Sequence, residues 1–162
     1  MKFLAEVYFP YQEKLQELGF DYTYDKKSCH CLISHVCLFL VIENHDEPRA
    51  ATEFGSNMRA DGAAMISLSF PGMKLINRGQ EFGFFNRLDI HLRRSKEEKE
   101  KDGVLRFYKI FLNILDREPF HEGSWKYLQV FGSDQSWRLA AWKYTTPTEK
   151  IAIVINYRFI IL

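Results

Sequence analysis

Short apolar runs alternate with helix-patterned stretches up to about residue 118, and this alternation restricts the fold more than any other feature. Lys2–Tyr8 is mostly apolar and of strand length. Pro10 follows where a first helical turn accepts it, and Tyr11, Leu15 and Leu18 share one helical face. Gly19 is placed to cap that helix, after which Phe20, Tyr22 and Tyr24 alternate in a second strand ending at Asp25. A third strand-like run, Val36–Ile42, stops at the polar stretch Glu43–Arg49. Thr52–Leu68 reads as a helix with Phe54, Met58, Ala63, Ala64 and Leu68 facing inward, and Pro71-Gly72 precedes a fourth strand, Met73–Asn77. Strand, helix, strand units of this kind build a parallel sheet.

The pattern then changes. Ser95–Asp102 is a charge run that reads as a solvated loop, and Val104, Leu105, Tyr108, Phe111, Leu112 and Leu115 mark an amphipathic helix. After Pro119 come three strand patterns, Trp125–Phe131, Trp137–Tyr144 and Ile151–Tyr157, separated by Gly132-Ser133-Asp134 and Thr146-Pro147-Thr148. The expectation is a βα segment over residues 1–118 followed by a small antiparallel sheet over 119–162.

With 22 Lys and Arg against 21 Asp and Glu in 162 residues, the chain has no field that would hold a phosphate backbone or an anionic membrane. Neither nucleic acid nor membrane is expected as a partner. The longest apolar run, Leu32–Ile42, contains His35 and is roughly half of the ~20 residues needed to span a bilayer. Glu6 interrupts the apolar start, so no secretory leader is expected, and Cys29, Cys31 and Cys37 form an odd, crowded set unlike a disulfide framework. These features suggest a cytoplasmic protein.

In parallel βα architectures reactive side chains gather at the carboxyl ends of the strands. Two carboxylates meet that description: Glu6, near the end of the first strand, and Asp46, just past the third and preceded by Asn44 and His45. Retaining glycoside hydrolysis uses such a pair, one as acid/base and one as nucleophile, about 5 Å apart. Periodicity does not supply that distance, and a carboxylate past a strand is more often a helix cap or an ion-pair partner.

Several segments resemble motifs of the α-amylase family, glycoside hydrolase family 13. Ala5-Glu6-Val7-Tyr8 is similar to the fifth-strand motif, and Val41-Ile42-Glu43-Asn44-His45-Asp46 to the seventh-strand motif. Gly19–Lys26 is similar to the sixth-strand region, Pro71-Gly72 with Gly79-Gln80-Glu81 and Gly83 to the eighth strand and its loop, and Trp137–Tyr157 to the β-domain after the barrel. The resemblance implies an α/β fold: strands five to eight of a (β/α)8 TIM barrel followed by a truncated β-domain. It implies action on α-glucans or maltooligosaccharides by a retaining mechanism, as hydrolase or transglycosylase. In it Glu6 is the acid/base, Asp46 stabilises the transition state, and His45 and Asn44 hold the sugar. No cofactor or bound metal ion is expected.

A complete barrel takes ~250 residues, so half of it is missing from this stretch of chain. The family's nucleophile, an aspartate two residues after an arginine on the fourth strand, is absent, as is the first-strand histidine. The resemblance therefore implies a chain that is inactive alone, with the N-terminal half barrel as a partner, and an exposed edge at Lys2–Tyr8. The segment Ser28–Cys37 does not match the family.

Two other readings compete. Cys29, His30, Cys31, His35 and Cys37 offer zinc-type ligands, at a spacing that argues against a structural site. Trp125, Trp137, Trp142 and Tyr144 offer stacking faces for a non-catalytic carbohydrate-binding or assembly module, although aromatics at strand spacing are more often sheet core. His91 with Arg93-Arg94 follows the eighth-strand loop, either lining a cleft or pairing with carboxylates.

Overall fold

The first βα unit is short. In the computed structural model, which describes residues 1–7, 11–25, 38–89, 91–92 and 96–156, β1 (Leu4–Ala5) leads to α1 (Gln12–Glu17) and β2 (Tyr22–Asp25). Gly19, at φ +104°, ends the helix as its sequence position suggested, and Phe20 N closes back on Leu15 O at 3.1 Å. Asp21 fastens the strand starts together, accepting from Phe3 N at 2.7 Å and from Lys2 Nζ at 2.9 Å. The Lys2 ammonium, followed by the Phe3 amide, holds the Asp21 carboxyl below its ordinary range.

β3 (Leu38–Leu40) pairs with β2, and β4 (Met73–Lys74) with β3; all pairings are parallel and the order is β1-β2-β3-β4. Among the described residues this sheet has two open edges. At one of them Phe3 and Leu4 are exposed. The expected helix over Thr52–Leu68 is two helices, α2 (Ala50–Glu53) and α3 (Asn57–Ser69). Gly55 at φ +73° breaks the path, and Ser56 Oγ caps α3 by accepting from Arg59 N at 3.3 Å. The break resets the helical register: Ala63, Ala64 and Leu68 are buried as expected, but Met58 faces solvent. Tyr11 and Leu18, at the two ends of α1, are likewise exposed, while Gln16 faces the sheet, its amide donating to the buried Thr23 hydroxyl at 2.9 Å.

α4 (Asp102–Leu115) packs Val104, Tyr108 and Phe111 against Ala64 and Leu68 of α3. Leu112, expected inward, is exposed with Ile110 and Ile114. A short α5 (Pro119–Glu122) then turns the chain into an antiparallel sheet of β5 (Ser124–Leu128), β6 (Leu139–Thr145) and β7 (Lys150–Asn156). Trp137 is not in a strand; it lies in a 3-10 turn, Ser136–Arg138, ahead of β6. Phe70 at the end of α3 packs edge-on to Trp125 and Trp142, with ring centroids 5.1 and 5.5 Å apart. Trp142 Nε1 and Tyr144 OH both donate to Ser69 O, at 3.1 and 2.9 Å, so the carbonyl left over at the helix end anchors the second sheet. Trp125, Trp142 and Tyr144 are thus core residues. None of the described helices is long and apolar enough to cross a membrane.

Candidate active site

The loops after β3 and β4 leave the same edge of the parallel sheet, and one buried carboxylate joins them. Glu43 is 2% exposed and Arg49 is 4% exposed. Glu43 Oε1 accepts from Arg49 Nη1 at 2.5 Å and from Asn77 Nδ2 at 3.1 Å, while Oε2 accepts from Ala50 N at 2.7 Å. A buried charge persists only when paired and further hydrogen-bonded, and this one is both. Arg49 also donates to Arg78 O at 2.8 Å and Asn86 O at 3.1 Å; Thr52 Oγ1 reaches Phe85 O at 2.7 Å and Arg87 Nε reaches His45 O at 3.1 Å. The stretch from Glu43 to Thr52 is therefore tied at several points to the stretch from Asn77 to Arg87.

Within this frame Asn44 forms a tight turn. Its Oδ1 accepts from Asp46 N at 2.8 Å and Glu47 N at 2.9 Å, so the amide oxygen of this mostly buried residue is taken up by the loop itself. The turn places His45 and Asp46 outward, His45 Nε2 lying 3.2 Å from Asp46 Oδ2 with side chains 61% and 50% exposed. Glu6 follows β1 directly and is exposed. β1 and β3 flank β2, so at ~4.8 Å per strand the chain leaves the ends of β1 and β3 roughly 10 Å apart.

The loop after β4 is built on glycines for a steric reason. Gly79 sits at φ +93°, and a Cβ there would lie 2.5 Å from Phe84 Cδ2 and 2.8 Å from Arg49 Nη2. Gly83, at φ +70°, is pressed against Val104 and Asn57. Between them Gln80 Nε2 donates to Tyr108 OH at 2.7 Å, in a site whose burial drives the Tyr108 phenol well above its ordinary range. The charge run also has structural members. Glu98 accepts from Phe85 N and Asn86 N at 2.9 and 2.7 Å, and Lys101 donates to Gly83 O at 2.6 Å with its ammonium 4.2 Å from the Phe85 ring centroid. Burial pulls the Glu98 carboxyl upward, but these amide hydrogen bonds prevail and hold it below its usual value. Periodicity missed Glu43, Arg49, Glu98 and Lys101; the only hint was that the first two bound a polar loop after a strand.

His91 is exposed, with its backbone N donating to Asp89 Oδ1 at 2.9 Å. Arg93, Arg94 and the cluster Cys29, His30, Cys31, His35 and Cys37 lie outside the described residues. Among the described residues no three His, Cys, Asp or Glu side chains form a group that could hold a metal ion.

Residues 11–149 match the family model described as alpha amylase, catalytic domain. No individual curated protein matches in sequence. Among solved structures, the chain is similar to the noncanonic maltogenic α-amylase AmyB from Thermotoga neapolitana, with TM-score 0.72 and 18% identity over 97% of this chain and 42% of that one. It is also similar to an α-amylase from Lactobacillus plantarum, with TM-score 0.69 and 17% identity over 97% and 45% of the two chains. A third is the α-amylase from Geobacillus thermoleovorans complexed with acarbose, with TM-score 0.66 and 18% identity over 96% and 42%. At these identities the likeness shows a shared fold, a part of the α-amylase barrel with an antiparallel sheet. The chain spans less than half the length of these structures.

Proposed function

Because the chain belongs to the α-amylase family, matching its catalytic domain over residues 11–149, we propose that it supplies part of the active site of an enzyme acting on α-glucans. The observation that carries this reading is the Asn44 turn, which sets His45 and Asp46 at the carboxyl end of β3 on the sheet edge where Glu6 leaves β1. In a retaining mechanism Glu6 protonates the glycosidic oxygen and then takes a proton from the attacking water. Asp46 steadies the charge that develops on the sugar ring and His45 holds a hydroxyl. Asn44 contributes through the turn it builds. The nucleophile comes from a complementary half barrel, which also closes the open strand edges at β1 and β4 against water. Residues 1–118 form the barrel half and 119–162 part of a β-domain.

Hydrolysis or transfer within the family is set by loops of both halves. The test is maltotriose turnover, first by the chain alone and then by a chimera in which it replaces the matching part of the Thermotoga neapolitana enzyme. The chain alone should give no product above buffer, since a constellation that lacks a member loses orders of magnitude in rate. The chimera should be active and lose activity in Glu6→Gln. Turnover by the chain alone, or an active chimera indifferent to Glu6→Gln, would overturn the assignment.

A further inference from the structure

The three tryptophans divide sharply in the structure. Trp142 is fully buried and Trp125 packs on Phe70, whereas Trp137 is 59% exposed, in the connection between β5 and β6. Phe131 in the same connection is 77% exposed. Phe131 borders a concavity of about 230 Å3 whose wall includes Ser133, Gln135, Ser136, Arg138 and Asn156. The Arg138 guanidinium lies 4.9 Å from the Trp137 ring centroid and donates to Gln135 Oε1 at 2.7 Å, so it is held in place from two directions. Ser133 Oγ donates to Asp134 Oδ1 at 3.1 Å, so this connection also carries a carboxylate acceptor.

A pyranose ring has one apolar C–H face and a rim of hydroxyls that pair with amides, hydroxyls and guanidinium groups. An exposed aromatic ring beside such donors and acceptors in a small concavity has the matching chemistry. We propose that the connection between β5 and β6 is a second, non-catalytic contact site for an α-glucan chain, with Phe131 as the stacking face and Ser133, Gln135 and Arg138 as hydroxyl partners. This proposal takes its substrate class from the reading above, but the site shares no residue with Glu6, His45 and Asp46. The volume is below the ~300 Å3 at which drug-sized ligand pockets begin, so it suits a single sugar unit. Such a site keeps a long glucan near the enzyme by raising its local concentration.

Maltoheptaose titrated into the full chain, followed by NMR of tryptophan indole and arginine Nε resonances, tests the proposal. Saturable shifts at Trp137 and Arg138 are expected in the millimolar range, with the Trp142 indole unmoved as a fold control. Phe131→Ala should weaken binding by about tenfold, the scale of one aromatic contact, and keep the Trp142 signal in place. His45→Ala should leave these shifts unchanged. Absence of saturation at Trp137, unchanged affinity in Phe131→Ala, or equal shifts with cellopentaose would overturn it. The His45 resonances report separately on the candidate active site, so one site can fail without the other.

Discussion

Arg49 and Glu43 bracket the loop that carries His45 and Asp46, joined by a 2.5 Å hydrogen bond between two side chains that are 5% and 1% exposed. Removing either partner leaves the other as a buried, unpaired charge. Glu43→Ala and Arg49→Ala are therefore each expected to cost about 3–5 kcal/mol. Urea unfolding of the two single variants and the double variant measures this. The double variant should be less destabilised than the sum of the singles, because it strands no charge.

Ser69 O accepts from both Trp142 and Tyr144, one hydrogen bond for each lone pair. Trp142→Phe and Tyr144→Phe should each cost about 1 kcal/mol in hydrogen bonding, beyond any packing change at Trp142. Together they leave the buried carbonyl with neither of these partners, so a double-mutant cycle should show a loss greater than additive.

Asp61 on α3 has its pKa raised to about 6 by burial. The folded state thus holds the proton more tightly than the unfolded chain, whose value is 3.8. The contribution to stability is complete below pH 3.8 and disappears as pH rises through 6, where folding must carry a poorly solvated carboxylate. Asp61→Asn removes that burden. Above pH 7 it should raise stability by about 1 kcal/mol, a value reduced from the full shift because the group is only half shielded from water. Near pH 3.5 the variant and the parent should melt together; a gain of equal size at both pH values would contradict the assignment.

Gly79→Ala places a Cβ against Phe84 and Arg49 at a left-handed backbone position. A cost of about 2 kcal/mol is expected, together with perturbed amide resonances at Asn86 and Arg87, as the β4 loop shifts on its Arg49 anchor. Gly55→Ala, at φ +73° with open space around it, should cost less and leave those amides in place.

Periodicity made the interior legible where a side chain's burial depends on its own element. Ala63, Ala64, Leu68, Val104, Tyr108 and Phe111 are buried at the spacing that suggested it, and Gly19 caps α1. It misled at Leu112, which belongs to the apolar stripe of α4 and is nonetheless exposed. Met58 was misplaced because the Gly55 break restarts the helical register. At the candidate site, the strand-end position of Asp46 with Asn44 and His45 was legible, as were the glycines of the β4 loop. The ion pair that rigidifies the loops was not, since nothing in a pattern of polar residues distinguishes a buried, paired Glu43 from the exposed Asp46. Trp137 read as a strand residue until the 3-10 turn separated it from Trp142.

Titration of the 13C-histidine-labelled chain with acarbose most directly tests the central assignment, that His45 and Asp46 form part of a sugar site. The His45 ring resonances should move with saturation while His121, on α5, stays fixed, and Asp46→Asn should weaken the response. A His45 resonance indifferent to acarbose, with the chain folded and the Trp142 indole in place, would contradict it.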